Sequence, residues 1–518
     1  MKERSRTFNS IANSFYGIIS ALISVALNFV VRIVIIRALG EEINGLHNLF
    51  QSTINAMAVI ETSIGSALII HLYAPVKERD EARITALMSF YRRVYLVIAL
   101  VFLLLGIIID VFFINLIVHS SIPASSVRLY FGVFAASFFF NYLTYYKRSI
   151  LFAEQRNRIS MAATTVSEIV FRGLAVLFAF LTKEYLYFLL FIVAEKLFGN
   201  MLCILSVNKR YPFLKKIRGN PIDKETKKSI YATMRPLFVN QFSSTIQTSA
   251  NSIIISILLG NVAIVGYYGN YQLVVSTIQL IFSQFGSAFT TSFANLAVEK
   301  DKERMYETYR FFDYLACCVS IVCCAGFLSC VQSFIALCFG NGFLLSMGSV
   351  IAIVCSLAFY LFGVPVISVQ NAMGLHKKDD ILMVIQAVLA IAFGFIGGIL
   401  WGMEGIVAGL TLPVLVFTLI FKGVIICREA FGVSARGYLP AMLAKMLLTA
   451  VVCAVSFFVC NLISVGGAWD FIVKGVVSVA ISCAMITLFT FRSKYFKKSI
   501  ELIKRKRVSQ TEKEKTKC

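Results

Sequence analysis

The fold is decided by RIVIIRALGEEINGLHNLFQSTINAMAVIETSIGSALIIHLYAPVKERDEARITALMSFYRR, residues 32–93, because the chain carries this pattern twice. The stretch contains the end of one apolar span, a glycine-bearing turn, a second apolar span and a charged loop. Key residues recur at an offset of 221 positions: Gly45 and Gly266, Gly65 and Gly286, Asp80 and Asp301, Arg83 and Arg304. Internal repeats of this size build many transporter folds, so the sequence predicts two similar helical lobes.

The composition is that of a membrane protein. Of the 518 residues, 58% are hydrophobic and only 15% are charged, and apolar runs follow one another almost without interruption. Runs of about 20 residues cross a hydrocarbon layer of about 30 Å as α-helices. The sequence therefore predicts an all-α polytopic membrane protein with about 14 transmembrane helices. The predicted spans are approximately 11–36, 46–74, 94–118, 128–147, 159–181, 185–207, 231–259, 265–298, 310–338, 347–373, 381–400, 405–427, 438–462 and 469–491.

The repeat and the spans together predict the domain organisation. Two six-helix lobes are followed by two additional helices, and basic segments join and end them. The predicted segments are an N-terminal lobe 1–207, a cytoplasmic connector 208–230, a second lobe 231–427, the two further helices 428–491 and a cytoplasmic tail 492–518. The tail is expected to begin as a short amphipathic helix on the membrane surface.

The positive charge is concentrated on one side of the predicted membrane. The chain has 49 Lys and Arg residues and a net charge of +22. With the N-terminus in the cytoplasm, 39 of the basic residues fall in inner segments, and only Arg37, Arg128 and Lys183 fall in outer loops. This asymmetry predicts a bacterial cytoplasmic membrane protein with both termini inside, and it explains the charge without a nucleic acid.

No motif of catalysis or cofactor binding stands out. The 13 cysteines lie mainly in apolar spans without the spacing of a zinc or disulfide site, and no P-loop is present. The outer loops are short, and the connector lacks an acidic or metal-binding constellation, so a membrane polysaccharide polymerase or glycosyltransferase is disfavoured. We expect no catalytic residues, no metal and no cofactor.

Charged residues within the spans are the candidates for function. Arg32, Arg172 and Lys196 lie deep in their spans, where an exposed cation costs about 2.5–3.5 kcal/mol, so they should face a bundle interior or a wet cavity. Four other basic residues lie close enough to span ends for their side chains to reach the headgroups. These are Arg235, Lys422, Lys445 and Lys474.

Acidic and amide residues share these depths. Glu168 and Arg172 are four residues apart and predict an ion pair on one helix face, whereas Glu61 has no partner in its own span and is a candidate for proton uptake. Glu195 precedes Lys196. The deep charges thus fall in the first half of the chain. In the second half, four amides form a polar face in span seven that could contact a glycan or join helices: Asn240, Gln241, Gln247 and Asn251.

Arg32-Ile33-Val34-Ile35-Ile36-Arg37-Ala38-Leu39-Gly40, followed by Gly45 and Gly65, resembles a known family. These are the polysaccharide flippases of the multidrug/oligosaccharidyl-lipid/polysaccharide exporter superfamily, which translocate capsule and O-antigen repeat units. The resemblance extends over the whole chain in span number and in the two-lobe repeat. It implies two six-helix bundles around a central cavity that opens alternately to each side, and an oligosaccharide on polyprenyl diphosphate as cargo.

The resemblance also implies roles for individual residues. It points to Arg32, and with it Arg37, for binding the diphosphate, since arginine grips phosphate oxygens in a bidentate manner. Arg172 and Lys196 are further candidate cavity cations because of their depth in the spans alone, and Arg235 is a candidate as well. Glu61, Glu168 and Glu195 are candidates for coupling or ion pairing. The implied partners are the lipid-linked oligosaccharide, membrane lipids, and a polysaccharide polymerase with export machinery, and the expected state is a monomer.

Two related functions remain open at this point. A flippase for the peptidoglycan lipid precursor shares the span number and a cationic cavity. A multidrug or cation antiporter of the same superfamily typically has twelve spans and an acidic residue in its first helix, whereas the first span here contains Arg32 and no acidic residue.

Overall fold

A computed structural model of the chain describes residues 6–215, 221–299, 301–375, 380–463 and 465–501. Nearly all of these residues are helical, and no β-strand occurs among them. The helices are α1 Arg6–Val34, α2 Glu41–Met57, α3 Val59–Glu78, α4 Glu81–Ile108, α5 Ile114–Ile117, α6 Ala124–Tyr145, α7 Arg148–Ala153, α8 Asn157–Ser167, α9 Gly173–Thr182, α10 Tyr185–Arg210, α11 Lys224–Leu259, α12 Val262–Val298, α13 Lys302–Phe339, α14 Met347–Met373, α15 Asp380–Pro413, α16 Lys422–Ile426, α17 Tyr438–Asn461 and α18 Ala468–Thr490.

The predicted spans coincide with helical segments. Within the described ranges, eleven helices are long and apolar enough to cross a membrane, or twelve when the bent α11 is counted as one span. One of the eleven, Ile381–Phe431, contains two predicted spans, because its backbone leaves the helical conformation at Trp401 and Gly402. The predicted fourth span is α6, which has 22 residues but is not among the eleven. The prediction of an all-α, multi-pass membrane protein is confirmed.

The second predicted span differs from the helix that is observed. The helix begins at Glu41 rather than near residue 46, because Gly40 with φ of 92° supplies the turn that follows α1. Gly45 therefore lies inside α2 and not in a turn. The helix is also interrupted at Ala58, which separates α2 from α3.

The repeated Asp and Arg residues have the same structural role in both copies. The Asp80 carboxylate accepts a hydrogen bond from the backbone N–H of Arg83 at 2.9 Å and caps α4. The Asp301 carboxylate accepts one from the backbone N–H of Arg304 at 3.0 Å and caps α13. Such a cap satisfies one of the backbone donors that a helix start leaves open. The repeat therefore conserves a way of starting a helix after a tight turn.

The repeated glycines Gly45 and Gly266 meet each other. A Cβ atom on Gly45 would lie 2.0 Å from the carbonyl oxygen of Val262, and one on Gly266 would lie 2.9 Å from the backbone nitrogen of Gly45. Only residues without a side chain permit α2 and the start of α12 to approach this closely. Two positions that correspond in the repeat thus form one backbone-to-backbone contact.

The chain divides into two compact units. Unit 1 contains Met1–Leu273 and Asp380–Leu410, and unit 2 contains Val274–Asp379 and Thr411–Cys518. In unit 1, α10 packs against α6, α8 and α9, and α11 packs against α2 and α3. In unit 2, α13 packs against α14, α17 and α18. The predicted lobe boundaries describe the sequence repeat and stay a prediction.

The basic segments are described in part. Residues 216–220 of the connector and 502–518 of the tail lie outside the described residues, and so do two positions of the predicted amphipathic helix, Leu502 and Ile503. The described start of the tail, residues 494–501, is helical.

Candidate substrate-binding site

One face of α1 carries polar residues at every fourth position. Ser24, Asn28 and Arg32 are successive members of this row, and we call them the polar stripe of α1. Residues four apart lie above one another on a helix, so the stripe forms a single line along the helix. All three side chains contact polar residues of other helices in unit 1.

Arg32 is held by amide side chains. Its Nη1 donates a hydrogen bond to Asn270 Oδ1 at 3.1 Å, and its Nη2 donates to Asn48 Oδ1. The Asn48 Nδ2 in turn donates to the Asn44 carbonyl oxygen at 2.9 Å, which fixes the orientation of the Asn48 amide. Both partners of the guanidinium are neutral, and no carboxylate of the described chain forms an ion pair with it. The positive charge of Arg32 is therefore oriented but not neutralised.

Two buried amide side chains beside Arg32 each have an unsatisfied hydrogen-bond donor. Asn44 is 1% exposed and Asn270 is 0% exposed, and the Nδ2 donor of each has no partner among the described residues. A buried donor without a partner costs about 1–3 kcal/mol. The cost would be recovered if an acceptor, such as a phosphate or hydroxyl oxygen or a water molecule, occupied the neighbouring space.

Gly269 allows Arg32 to reach α12. A Cβ atom at this position would lie 2.7 Å from Arg32 Nη1 and 2.6 Å from Asn48 Nδ2, both inside ordinary contact distance. The absence of a side chain at Gly269 is thus what permits the guanidinium and the Asn48 amide to lie against α12.

Arg172 forms the centre of a second polar cluster next to the stripe. It ends the π-helical turn Glu168–Arg172, from which its Nε donates to Glu195 Oε2 at 2.9 Å and its Nη2 donates to Glu168 Oε1 at 3.3 Å. Its Nη1 donates to Asn28 Oδ1 on α1 at 2.7 Å. The cluster therefore joins the fifth and sixth spans to the polar stripe.

The cluster is close to electrically neutral. Lys196 Nζ lies 3.5 Å from Glu195 Oε1, and Ser24 donates to Glu168 Oε2 at 2.5 Å. Two cations thus face two carboxylates, and the Glu168–Arg172 ion pair expected from their spacing is present. The uncompensated positive charge of this part of unit 1 belongs to Arg32, one helical turn from Asn28.

Glu61 lies in a different environment. Its Oε1 accepts a hydrogen bond from the Tyr95 hydroxyl at 3.1 Å, and Arg148 lies within electrostatic range. The sequence analysis did not single out Arg148, because it placed the end of span four at residue 147, whereas helical structure continues through α7 to Ala153. The Arg148 guanidinium stacks over the Tyr145 ring at 5.0 Å, and its buried Nε has no partner among the described residues.

The remaining predicted residues are dispersed. Arg37 lies in the π-helical turn after α1 and is exposed. Gln241 donates to the Thr245 hydroxyl at 3.3 Å within α11, and Asn251 is buried. The side chains of three predicted residues lie outside what the structure describes: Arg235, Asn240 and Gln247.

The lysines assigned to span ends have surroundings that the sequence analysis did not predict. Lys445 forms an ion pair with Asp313, and Lys474 pairs with Asp470 at 2.7 Å. Lys422 is 5% exposed. Carboxylates inside unit 2 therefore neutralise two of these lysines, and burial encloses the third. That their side chains extend to the headgroups stays a prediction. Buried charged residues therefore occur in both halves of the chain.

The comparisons with known proteins agree with this architecture. The family model described as "Polysaccharide biosynthesis protein" matches residues 10–293. The structure is similar to that of the lipid II flippase MurJ in an inward closed conformation, with a TM-score of 0.66 and 15% identity, covering 92% of this chain and 98% of that one. No curated protein sequence matches.

Multidrug transporters of the MATE family share the fold as well. An inward-facing MATE transporter of the MOP superfamily has a TM-score of 0.60 and 15% identity, over 76% of this chain and 92% of the other. A MATE transporter from Vibrio cholerae has a TM-score of 0.57 and 13% identity, over 82% and 97%. At these identities the likeness establishes the fold.

Proposed function

We propose that this chain, which belongs to the polysaccharide biosynthesis protein family, is a flippase for lipid-linked saccharides. It moves polyprenyl-diphosphate-linked oligosaccharide repeat units from the cytoplasmic to the outer leaflet by alternating access. These units feed a capsule, an exopolysaccharide or an O-antigen-like polymer, which a polymerase and export machinery complete. The chain resides in the bacterial cytoplasmic membrane with both termini inside.

The observation that carries the proposal is the unneutralised guanidinium of Arg32. Burial of a cation at membrane depth is costly, and Arg172 offsets this cost by pairing with two carboxylates. Arg32 instead has two neutral amide partners, which orient it and leave its charge available. A diphosphate supplies the opposite charge and accepts charge-assisted hydrogen bonds from the guanidinium.

The neighbouring groups suit the rest of such a ligand. The spare Nδ2 donors of Asn44 and Asn270 can bind phosphate or saccharide oxygens. The Arg172 cluster holds the polar stripe in place from the other side through Asn28. Glu61, which has the neutral Tyr95 hydroxyl as its hydrogen-bond partner, is the residue we assign to coupling by protonation.

The peptidoglycan lipid precursor is the second candidate cargo. The similarity to the lipid II flippase MurJ over 92% of the chain favours it, and both cargoes present a diphosphate to Arg32. The multidrug antiporter is less favoured, because α1 contains no carboxylate for a coupling ion. We assign the chain no enzymatic activity, including that of a polymerase.

The proposal is tested in proteoliposomes that contain a fluorescent polyprenyl-diphosphate oligosaccharide. The fraction of lipid in the outer leaflet is measured over time with a membrane-impermeant quencher. We expect flipping by the wild type, a loss of about 30-fold or more in Arg32→Ala from the missing charged hydrogen bonds, and partial activity in Arg32→Lys. Arg83→Gln removes an equal charge from an exposed position and should flip normally.

Two results would change the conclusion. Transport of a pentapeptide-bearing lipid-linked disaccharide, without transport of the oligosaccharide, would replace the proposed cargo by the peptidoglycan precursor. Normal flipping by a correctly inserted Arg32→Ala variant would remove Arg32 from the transport pathway.

A further inference from the structure

Unit 2 contains a pocket at one end of α13 that the proposed transport function does not use. Its volume is about 290 Å³, and α13, α17, α18 and the first residues of the tail line it. Arg310, Asp313 and Lys445 give it charged groups, whereas Ile321, Leu448 and Ile486 give it an apolar part.

The polar and apolar residues of the pocket are separated by depth. Along α13, Arg310 and Asp313 come before Ile321, and along α17, Lys445 comes before Leu448. Both helices begin at the end of the pocket that the tail closes, and α18 ends there. The pocket is therefore polar near the helix ends and apolar further into the membrane, as the binding site of an amphiphile must be.

The polar end has a positive charge in excess. Asp313 forms an ion pair with Lys445, so these two formal charges cancel. Arg310 lies within electrostatic range of Asp313 and of the Tyr495 side chain. Arg310 and Lys445 thus share one carboxylate, which leaves one positive charge in excess at the mouth of the pocket.

The tail helix closes the pocket and adds further positive charge. The Tyr495 ring stacks on Tyr314 with centroids 6.1 Å apart, and Lys494 pairs with Glu307 at 2.8 Å. Lys498 lies over the Phe311 ring at 5.0 Å. Arg492 and Lys497 complete a set of four basic residues within seven positions, of which one is neutralised by Glu307.

We infer that this pocket binds the headgroup of an anionic glycerophospholipid from the leaflet on the side of the C-terminal tail. Arg310 receives the phosphate, and the glycerol and the first methylenes enter the apolar part of the pocket. The acyl chains continue over exposed apolar side chains of α17 and α18, among them Leu447 and Leu488. The lipid joins the two C-terminal helices and the tail to α13.

The chemistry of the pocket selects this occupant over others. A zwitterionic lipid brings its own cation to the surplus charge of Arg310, which weakens binding, and a free phosphate leaves the apolar part unfilled. A juxtamembrane cluster of basic residues attracts anionic lipid and so favours loading from the membrane.

Native mass spectrometry of the full-length protein tests the inference. The purified chain is incubated with phosphatidylglycerol, with phosphatidylcholine of the same acyl chains, or with inorganic phosphate. We expect a phosphatidylglycerol adduct at least fivefold more abundant than the phosphatidylcholine adduct. Arg310→Gln should reduce it by about tenfold, as for the loss of one charge-assisted hydrogen bond.

A matched control variant and a second pocket substitution show whether the loss of the lipid adduct is specific to the pocket. Arg304→Gln removes a positive charge from the same helix outside the pocket, where Arg304 pairs with Glu299, and should retain the adduct. Ala444→Phe fills the pocket without changing its charge and should also lose the adduct. If Arg310→Gln fails to fold, the inference is tested by the adduct of Ala444→Phe and by the headgroup preference of the wild type.

Equal retention of the two lipids by the wild type would overturn the inference, as would an undiminished adduct in Ala444→Phe. Displacement of phosphatidylglycerol by inorganic phosphate, or by an equimolar polyprenyl diphosphate, would assign the pocket to a free anion or to the transported lipid instead. Because these measurements involve no transport, they are independent of the flippase proposal.

Discussion

Unit 1 and unit 2 treat buried positive charge differently. In unit 2, Lys445 and Lys474 each have a carboxylate partner, so these two lysines contribute no net charge. In unit 1, Arg172 and Lys196 are balanced by Glu168 and Glu195, but Arg32 has amide partners alone. The two lysines of unit 2 are thus neutralised inside the protein, whereas Arg32 of unit 1 is oriented by neutral groups, as is the buried Lys147, which donates to Asn208 Oδ1 at 2.7 Å. The depth of a charge in its span does not distinguish these two cases.

The largest effect should follow from removing the centre of the balanced cluster. Arg172→Met leaves Glu168 and Glu195 buried without their main cation, and breaking a buried pair in this way costs about 3–5 kcal/mol. The free energy of unfolding in mixed micelles, titrated with sodium dodecyl sulfate, measures the loss. Arg83→Met, at an exposed position, should change it by less than about 0.5 kcal/mol. A loss below about 1 kcal/mol for Arg172→Met would mean that the cluster is not structural.

The Lys445–Asp313 pair should behave as a structural pair as well. Lys445→Met should cost about 3 kcal/mol, near the lower limit for buried pairs, because its side chain is 22% exposed. The double variant with Asp313→Leu should recover stability to within about 1 kcal/mol of the wild type and should flip the substrate normally. Recovery of stability without recovery of transport would place this pair, like Arg32, in the transport pathway.

Gly269→Ala should affect both transport and stability. The added Cβ displaces Arg32 and Asn48 from α12, which we expect to lower the flipping rate about tenfold by misplacing the charge. The overpacking should cost about 1–3 kcal/mol of unfolding free energy. Gly132→Ala on α6 is the control, because nothing lies within 4 Å of its added Cβ. Unchanged transport in Gly269→Ala would show that the position of Arg32 against α12 is unimportant.

The smallest effects should come from the two repeated caps. Asp80→Ala and Asp301→Ala each remove one side-chain cap at a helix start and should each cost about 1 kcal/mol. The experiment compares the two losses of unfolding free energy, since equal losses would show that both copies of the turn contribute equally to stability. A difference above about 1 kcal/mol in unfolding free energy would show that one cap has acquired another role.

Much of the fold could be predicted from the sequence, because apolar runs and the repeat are local or regularly spaced signals. Arg32 could be identified from its depth and from the family resemblance. Its partners could not, since Asn270 is 238 positions away and its neighbour Asn48 resembles any polar residue of a helix. The four-residue spacing of Ser24, Asn28 and Arg32 was the available signal for the polar stripe.

The carboxylate partner of Lys445 in unit 2 could not be predicted for a related reason. Asp313 lies 132 positions from Lys445, and both residues are near predicted span ends, where a charge is usually solvated. Only the packing of α13 against α17 brings them together. The proximity of Arg148 to Glu61 was missed because the predicted span four ended at residue 147. Helical structure continues through α7, which contains Arg148.

The contact between Gly45 and Gly266 bears on the ancestry of the chain. In the self-complementary interface of a symmetric dimer, corresponding positions that lie on the twofold axis touch each other, and Gly45 and Gly266 touch in the same manner. A half-length ancestor would therefore have needed one glycine at this place to pair with its own duplicate. Gene fusion would then have freed the two copies to diverge, so that one kept an unneutralised arginine and the other did not.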